Sequence, residues 1–125
     1  MEESPLAKLL FIDHVQLAMP RGGEEQADAF YAGVLGLRRV PKPPALAVRG
    51  GCWFESDTVR VHLGVEDNFR PAAKAHPAFV VDDLDGLVDA VQAARLVVRW
   101  DDEIPGVRRC HVQDPFGNRL ELIQG

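Results

Sequence analysis

The chain has 125 residues, of which 46% are hydrophobic, 26% charged and 7% aromatic. This composition suits one compact domain, or two fused half-size modules, and excludes a disordered chain; at this length about 65–70% of the unfolded surface can be buried without a disulfide staple. Fourteen basic residues against 19 acidic ones leave a net charge of −5, which counts against a nucleic-acid partner, and the short apolar runs exclude a membrane-spanning helix.

The acidic start, Met1-Glu2-Glu3-Ser4-Pro5, is unlike a secretory leader. Cys52 and Cys110 lack metal-type spacing, so two free thiols in a reducing cytoplasm are expected. Leu9 to Ala18 reads as a strand ended by Met19-Pro20. A helix is predicted over 24–35, with an apolar stripe of Ala27, Phe30, Tyr31, Val34 and Leu35, glutamates at its positive end and Gly36 as its stop. A second strand begins over 37–40 and is broken by Pro41, Pro43 and Pro44. Residues 51–55 and 59–65 read as a hairpin across Ser56-Asp57-Thr58. The polar stretch 66–75 reads as a loop or a short helical turn.

The pattern then recurs. Residues 76–81 form a strand, and Asp82-Asp83 cap a helix over 84–95 with Leu84, Leu87, Val88, Val91 and Ala94 as its stripe. A strand over 96–100 follows. A last hairpin, 107–113 and 119–124, closes around Asp114-Pro115-Phe116-Gly117-Asn118. The order is strand, helix and three strands, twice, with His14-Val15-Gln16 and His76-Pro77-Ala78 in corresponding places 62 residues apart. A half of this size is marginal alone, so the expectation is an α+β domain over 9–125. Its two βαβββ modules, 9–66 and 74–125, share a curved mixed sheet with the helices on the convex face.

Strand alternation singles out four polar side chains. His14, His62, His76 and Glu121 each fall on the less apolar face of a strand that opens or closes a module. His14 to His62 spans 48 residues and His76 to Glu121 spans 45, so each module offers one group from its first strand and one from its last. Three imidazoles and a carboxylate suit a divalent Zn, Ni, Fe or Mn ion. Taken singly, each also fits a surface or hydrogen-bonded core residue; the repeated placement is what raises the metal reading. Arg60 and Arg119 share these faces and either steer an anionic substrate or serve as solvated rim charges. Glu55 is a weaker candidate base, and Trp53, Phe54, Trp100 and Phe116 either line a stacking pocket or belong to the core.

At Asp13-His14-Val15, at the run from His62-Leu63-Gly64-Val65-Glu66-Asp67 to His76-Pro77-Ala78-Phe79, and at Asp114 through Leu122, the chain resembles the vicinal oxygen chelate superfamily. That superfamily includes glyoxalase I, fosfomycin-resistance thiol transferases, extradiol dioxygenases and bleomycin-resistance proteins. The resemblance implies His14, His76 and Glu121 as metal ligands, with Glu121 also able to act as the proton-transfer base. His62 stands where glyoxalase I has a glutamate ligand. His111 stands where relatives contact substrate, and is either a cavity-wall acid or base or a structural residue. Pro77 removes a backbone donor and implies edge or irregular pairing beside His76. The resemblance also implies a homodimer, in which His14 and His62 of one chain meet His76 and Glu121 of the other; a closed monomer is the alternative. Fosfomycin enzymes and extradiol dioxygenases are expected to be longer than this chain.

The function implied is a metal-dependent, glyoxalase-like isomerase or lyase that chelates a small oxygenated substrate through vicinal oxygens. The alternatives are a bleomycin-resistance-like protein that sequesters a drug without chemistry, and a dioxygenase, against which a fourth ligand at His62 would count.

Overall fold

The computed structural model describes residues 6–125; the acidic start at Met1 to Pro5 lies outside the described residues. The chain runs β1 (Val15–Met19), α1 (Glu24–Ala27) continuing into a π-helical turn (Asp28–Ala32), β2 (Arg38–Val40), α2 (Pro44–Ala47), β3 (Cys52–Glu55) and β4 (Arg60–Val65). The second module repeats the plan with β5 (Ala78–Val81), α3 (Leu84–Ala93), β6 (Val98–Asp101), β7 (Arg109–Gln113) and β8 (Arg119–Gln124). Each module builds one four-stranded mixed sheet, ordered β1-β4-β3-β2 and β5-β8-β7-β6. In each, the first strand pairs parallel with the last, and the remaining pairs are antiparallel. This is the α+β architecture of two βαβββ modules read from the sequence.

Period-two alternation decides which side chains enter the core. Phe54, Val61 and Leu63 of the first sheet and Cys110, Val112, Leu120 and Leu122 of the second are fully buried. They pack against Ala27, Phe30 and Tyr31 of the first helix and Leu84, Val88 and Val91 of α3. Each such aliphatic or aromatic side chain contributes about 1.5–3 kcal/mol by leaving water. Asp83 caps α3 as its sequence suggests, accepting from the Gly86 amide at 3.0 Å. The modules are joined by polar contacts as well: Tyr31 donates to Asp114 at 2.7 Å, and the Asn118 amide donates to the Ala18 carbonyl at 2.7 Å.

Several boundaries differ from the sequence reading. The first strand begins at Val15, not Leu9. Leu9, Leu10, Phe11 and Ile12 are exposed, because β1 is an edge strand and nothing among the described residues pairs with its approach. The 24–35 helix widens into the π turn after Ala27, and a short α2 follows the prolines, with Pro44 in its first turn. Residues 66–75 form no regular element. Pro77 lies just before β5, which is an edge strand, so its missing amide costs no ladder bond. Among the described residues, no helix is long and apolar enough to cross a membrane.

Candidate metal centre

The open face of the second sheet carries Arg109 and His111 from β7 and Arg119 and Glu121 from β8, with Asp101 at the end of β6. His76 joins them from the segment leading into β5, where the Glu121 amide donates to the Pro77 carbonyl at 3.0 Å and draws the two side chains together. Ligand atoms of His76, His111 and Glu121 all lie within 4.8 Å of one another, the one such group among the described residues. His76 and His111 meet edge to face, with ring centroids 5.6 Å apart.

The His76 ring is held at both nitrogens. Nδ1 lies 2.6 Å from the Lys74 carbonyl oxygen, which can only accept, so Nδ1 carries the hydrogen. Nε2 lies 3.0 Å from Oε1 of Glu121. Burial works against the charged form of Glu121, but hydrogen bonds from His76 and Arg109 outweigh it and hold the carboxyl below its usual range. An ionised carboxylate also only accepts. A proton, or a metal cation in its place, can therefore lie between Nε2 and Oε1. Nitrogen and oxygen ligands set at right angles about 2.1 Å from a first-row ion would themselves stand about 3 Å apart, so the donor pair fits a cation.

Around this pair runs a charged lattice. Arg109 donates through Nη1 to Oε2 of Glu121 at 3.1 Å and through Nη2 to Oδ2 of Asp101 at 2.9 Å. Nε2 of His111 donates to the same Asp101 oxygen at 3.1 Å, which leaves Nδ1 to face Arg119 at 3.4 Å. The Glu103 amide and the His111 ring hold Asp101 below the ordinary aspartate range. A cleft of about 710 Å³ opens beside His111, with Arg99, Trp100, Asp102, Gln113 and Arg119 among its walls.

His14 and His62 stand on the other sheet, outside this group. Their rings stack 4.1 Å apart, and Trp53 stacks on the far side of His62 at 4.0 Å. Burial, and then the neighbouring His14, lower the pKa of His62. Asp13 accepts from His14 Nδ1 at 2.9 Å, and Nε2 of His14 has no hydrogen-bond partner among the described residues. Arg60 is engaged by Asp13 at 3.3 Å and Glu55 at 3.8 Å, whereas Arg119 has no carboxylate partner among the described residues. The four residues singled out by alternation thus form two pairs within one chain. The four aromatics do not share a pocket: Phe54 is core, Phe116 packs against the core and meets Phe69 edge to face, Arg108 covers Trp100, and Trp53 stacks on His62.

Sequence reading missed Asp101 and Arg109. It followed only the strands that open and close the modules, and both residues lie on the strands between. Their signal was Arg109 two positions before His111 on one strand, an arginine on a face that also carries an acid and a histidine.

A family model, the Glyoxalase/Bleomycin resistance protein/Dioxygenase superfamily, matches residues 12–122. No curated protein matches. A crystal structure of a glyoxalase family protein from Bacillus anthracis is 44% identical, covers 97% of this chain and 99% of that one, and superposes with a TM-score of 0.91. The fold is also that of a glyoxalase/dioxygenase from Nostoc punctiforme (21% identity, 99% and 98% covered, TM-score 0.77). It is likewise that of the fosfomycin resistance protein FosX from Listeria monocytogenes (14% identity, 94% and 95% covered, TM-score 0.75). The expectation that fosfomycin enzymes run longer fails for this FosX, which the chain spans almost completely. The chain belongs to the Glyoxalase/Bleomycin resistance protein/Dioxygenase superfamily.

Proposed function

We propose that the chain is a metal-dependent enzyme of the glyoxalase-like type, an isomerase or lyase for a small substrate with vicinal oxygens. The observation that carries this is the cluster of His76, His111 and Glu121, whose ligand atoms lie within 4.8 Å of one another, with Nε2 of His76 3.0 Å from Oε1 of Glu121. His76 and Glu121 would hold the metal. His14 would complete the set from a second copy, its Nδ1 tied to Asp13 as that of His76 is tied to the Lys74 carbonyl; such partners fix the tautomer that presents Nε2. The exposed run Leu9 to Ile12 on the approach to the open β1 edge supplies apolar surface for that second copy. His62, between two rings, spaces and steadies His14.

When bound, the ion supplies Lewis acidity to the substrate's oxygens and stabilises negative charge that develops there. The chain's own residues orient and neutralise. Arg119, beside His111 in the cleft, is placed to receive an anionic group of the substrate. His111 holds a proton on Nε2 against Asp101, and its Nδ1 accepts from Arg119, which ties the two side chains together on the cleft wall. Glu121 remains ionised between His76 and Arg109 and serves as the anionic ligand.

The test is metal titration of purified wild-type, H76A and E121A proteins, with elemental analysis of each. Wild type is expected to take up metal tightly, and both variants to lose it; full retention in both removes the site. Mixing H14A with E121A protein distinguishes a shared site, because heterodimers would recover one intact ligand set while either variant alone would not.

A further inference from the structure

Arg109 occupies an unusual position for an arginine. It sits on β7 two residues before His111, which pairs directly with Glu121 of β8. From this diagonal station its guanidinium reaches the carboxylate and lies buried, 11% exposed, as does Glu121. Its two terminal nitrogens are fully committed, one to Glu121 at 3.1 Å and one to Asp101 at 2.9 Å. Its Nε is buried without any acceptor, the one such side-chain atom among the described residues. A buried orphan donor is unfavourable, so the fork is held where it satisfies the two carboxylates rather than itself. Asp101 in turn binds both Arg109 and His111 through the same oxygen, linking the two walls of the site.

The consequence falls on Glu121. Its two oxygens are not equivalent: Oε2 is taken by Arg109, and Oε1 faces His76. Resting on the reading above that His76 and Glu121 hold a metal, we propose that Arg109, braced by Asp101, is a positioning residue that reserves Oε2 and leaves Oε1 as the single donor toward the cation. Carboxylate ligands without such a partner are free to swing or to bind through both oxygens. Arg109 removes that freedom before the ion arrives.

The proposal has a sign that separates it from plain electrostatics. Arg109 is a cation next to a cation site. If it acted only as a like charge, its removal would tighten metal binding. As a positioning residue its removal weakens binding, and partners of metal ligands typically matter by about 10–100-fold in affinity.

The experiment measures Co²⁺ affinity by chelator competition for wild type, R109M, R109K and D101N, alongside melting temperature and oligomeric state. R109M is expected to bind Co²⁺ at least about tenfold more weakly than wild type. R109K, which keeps a charged donor, should recover part of that loss, and D101N, which removes the brace, should fall between R109K and R109M. A role limited to folding would lower the melting temperature and leave the affinity of the folded protein unchanged. Equal or tighter binding by R109M overturns the proposal while the metal reading stands. Failure of wild type to bind Co²⁺, Zn²⁺, Ni²⁺ or Mn²⁺ overturns both. If R109M does not fold, R109K and D101N decide the sign, and undiminished affinity in both overturns the proposal.

Discussion

Replacing Tyr31 with phenylalanine tests what holds the two modules in register. The Tyr31 hydroxyl donates to Oδ2 of Asp114 at 2.7 Å, and both side chains are buried. Burial, and then the neighbouring Asp114 charge, raise the tyrosine pKa far above its usual value, so it remains a donor wherever the fold survives. The substitution removes one hydroxyl and little volume. Asp114 keeps three other donors, the Phe116 and Asn118 amides and the Asn118 side chain, each at 2.9 Å, so no bare buried charge is created. The expected loss is that of one hydrogen bond to a charged group, about 1.5–3 kcal/mol. For 125 residues the unfolding entropy is about 0.26 kcal/mol per kelvin, so a loss of 2 kcal/mol lowers the melting temperature by about 8 °C. Calorimetry of Y31F against wild type provides the measurement. N118A should couple to it non-additively by about 0.5 kcal/mol or more, because both side chains contact the same oxygen. A Y31F midpoint within about 2 °C of wild type would refute the assignment of this bond as a joint between modules. Co²⁺ affinity of folded Y31F should remain that of wild type, since Tyr31 touches none of the site residues.

Gly51 and Gly22 both have positive φ, but a Cβ at Gly51 would lie 2.2 Å from the Leu63 carbonyl oxygen, whereas at Gly22 it would meet nothing within 4 Å. G22A should therefore cost only the left-handed penalty of about 1–2 kcal/mol, and G51A clearly more, as read by urea denaturation. Glu24 accepts from the Gly51 amide at 2.9 Å, and that bond is the main reason its pKa falls below 4.5. Its contribution, at most about 1 kcal/mol for a half-exposed group, is full above the unfolded pKa and disappears as pH drops through the lower folded value. The stability gap between wild type and E24Q should thus close on acidification, and a gap that persists unchanged at pH 2 contradicts the sign. Burial raises the Cys52 thiol to about 11 and pushes Cys110 upward as well. Neither should react with a thiol reagent at pH 7 until the protein is denatured, when both should.

The parts of the fold that were legible are those set by local periodicity. Val61 and Leu63 enter the core while Arg60 on the other face stays exposed, since a strand has only two faces; His62, on Arg60's face, is buried by the rings of His14 and Trp53 instead. The Asp83 cap and the Asp114 to Asn118 turn were equally local. The overextended first strand failed for a physical reason: Leu9 to Ile12 have strand character, but a strand also needs a neighbour, and β1 ends its sheet. The π turn was hidden because Ala27, Phe30 and Tyr31 satisfy an ordinary helical stripe as well. For α2, the prolines were read as breakers, although a proline in the first turn also starts helices.

The site separates along the same line. Alternation could place His76 and Glu121 on open faces, and parallel pairing of β5 with β8 then brings them together, because the two sheets repeat one rule. It could not say that His14 and His62 would form their own stack, since the relation between modules depends on joints such as Tyr31–Asp114 rather than on any pattern within a strand. Nor could it assign direction to a ring. The decisive fact, that the Lys74 carbonyl claims Nδ1 of His76 and so aims Nε2 at an acceptor, comes from the backbone of the loop before β5. A histidine on the right face is common; one whose Nε2 is aimed at a buried acid, with a second histidine within ligand distance of both, is a stronger argument for a metal.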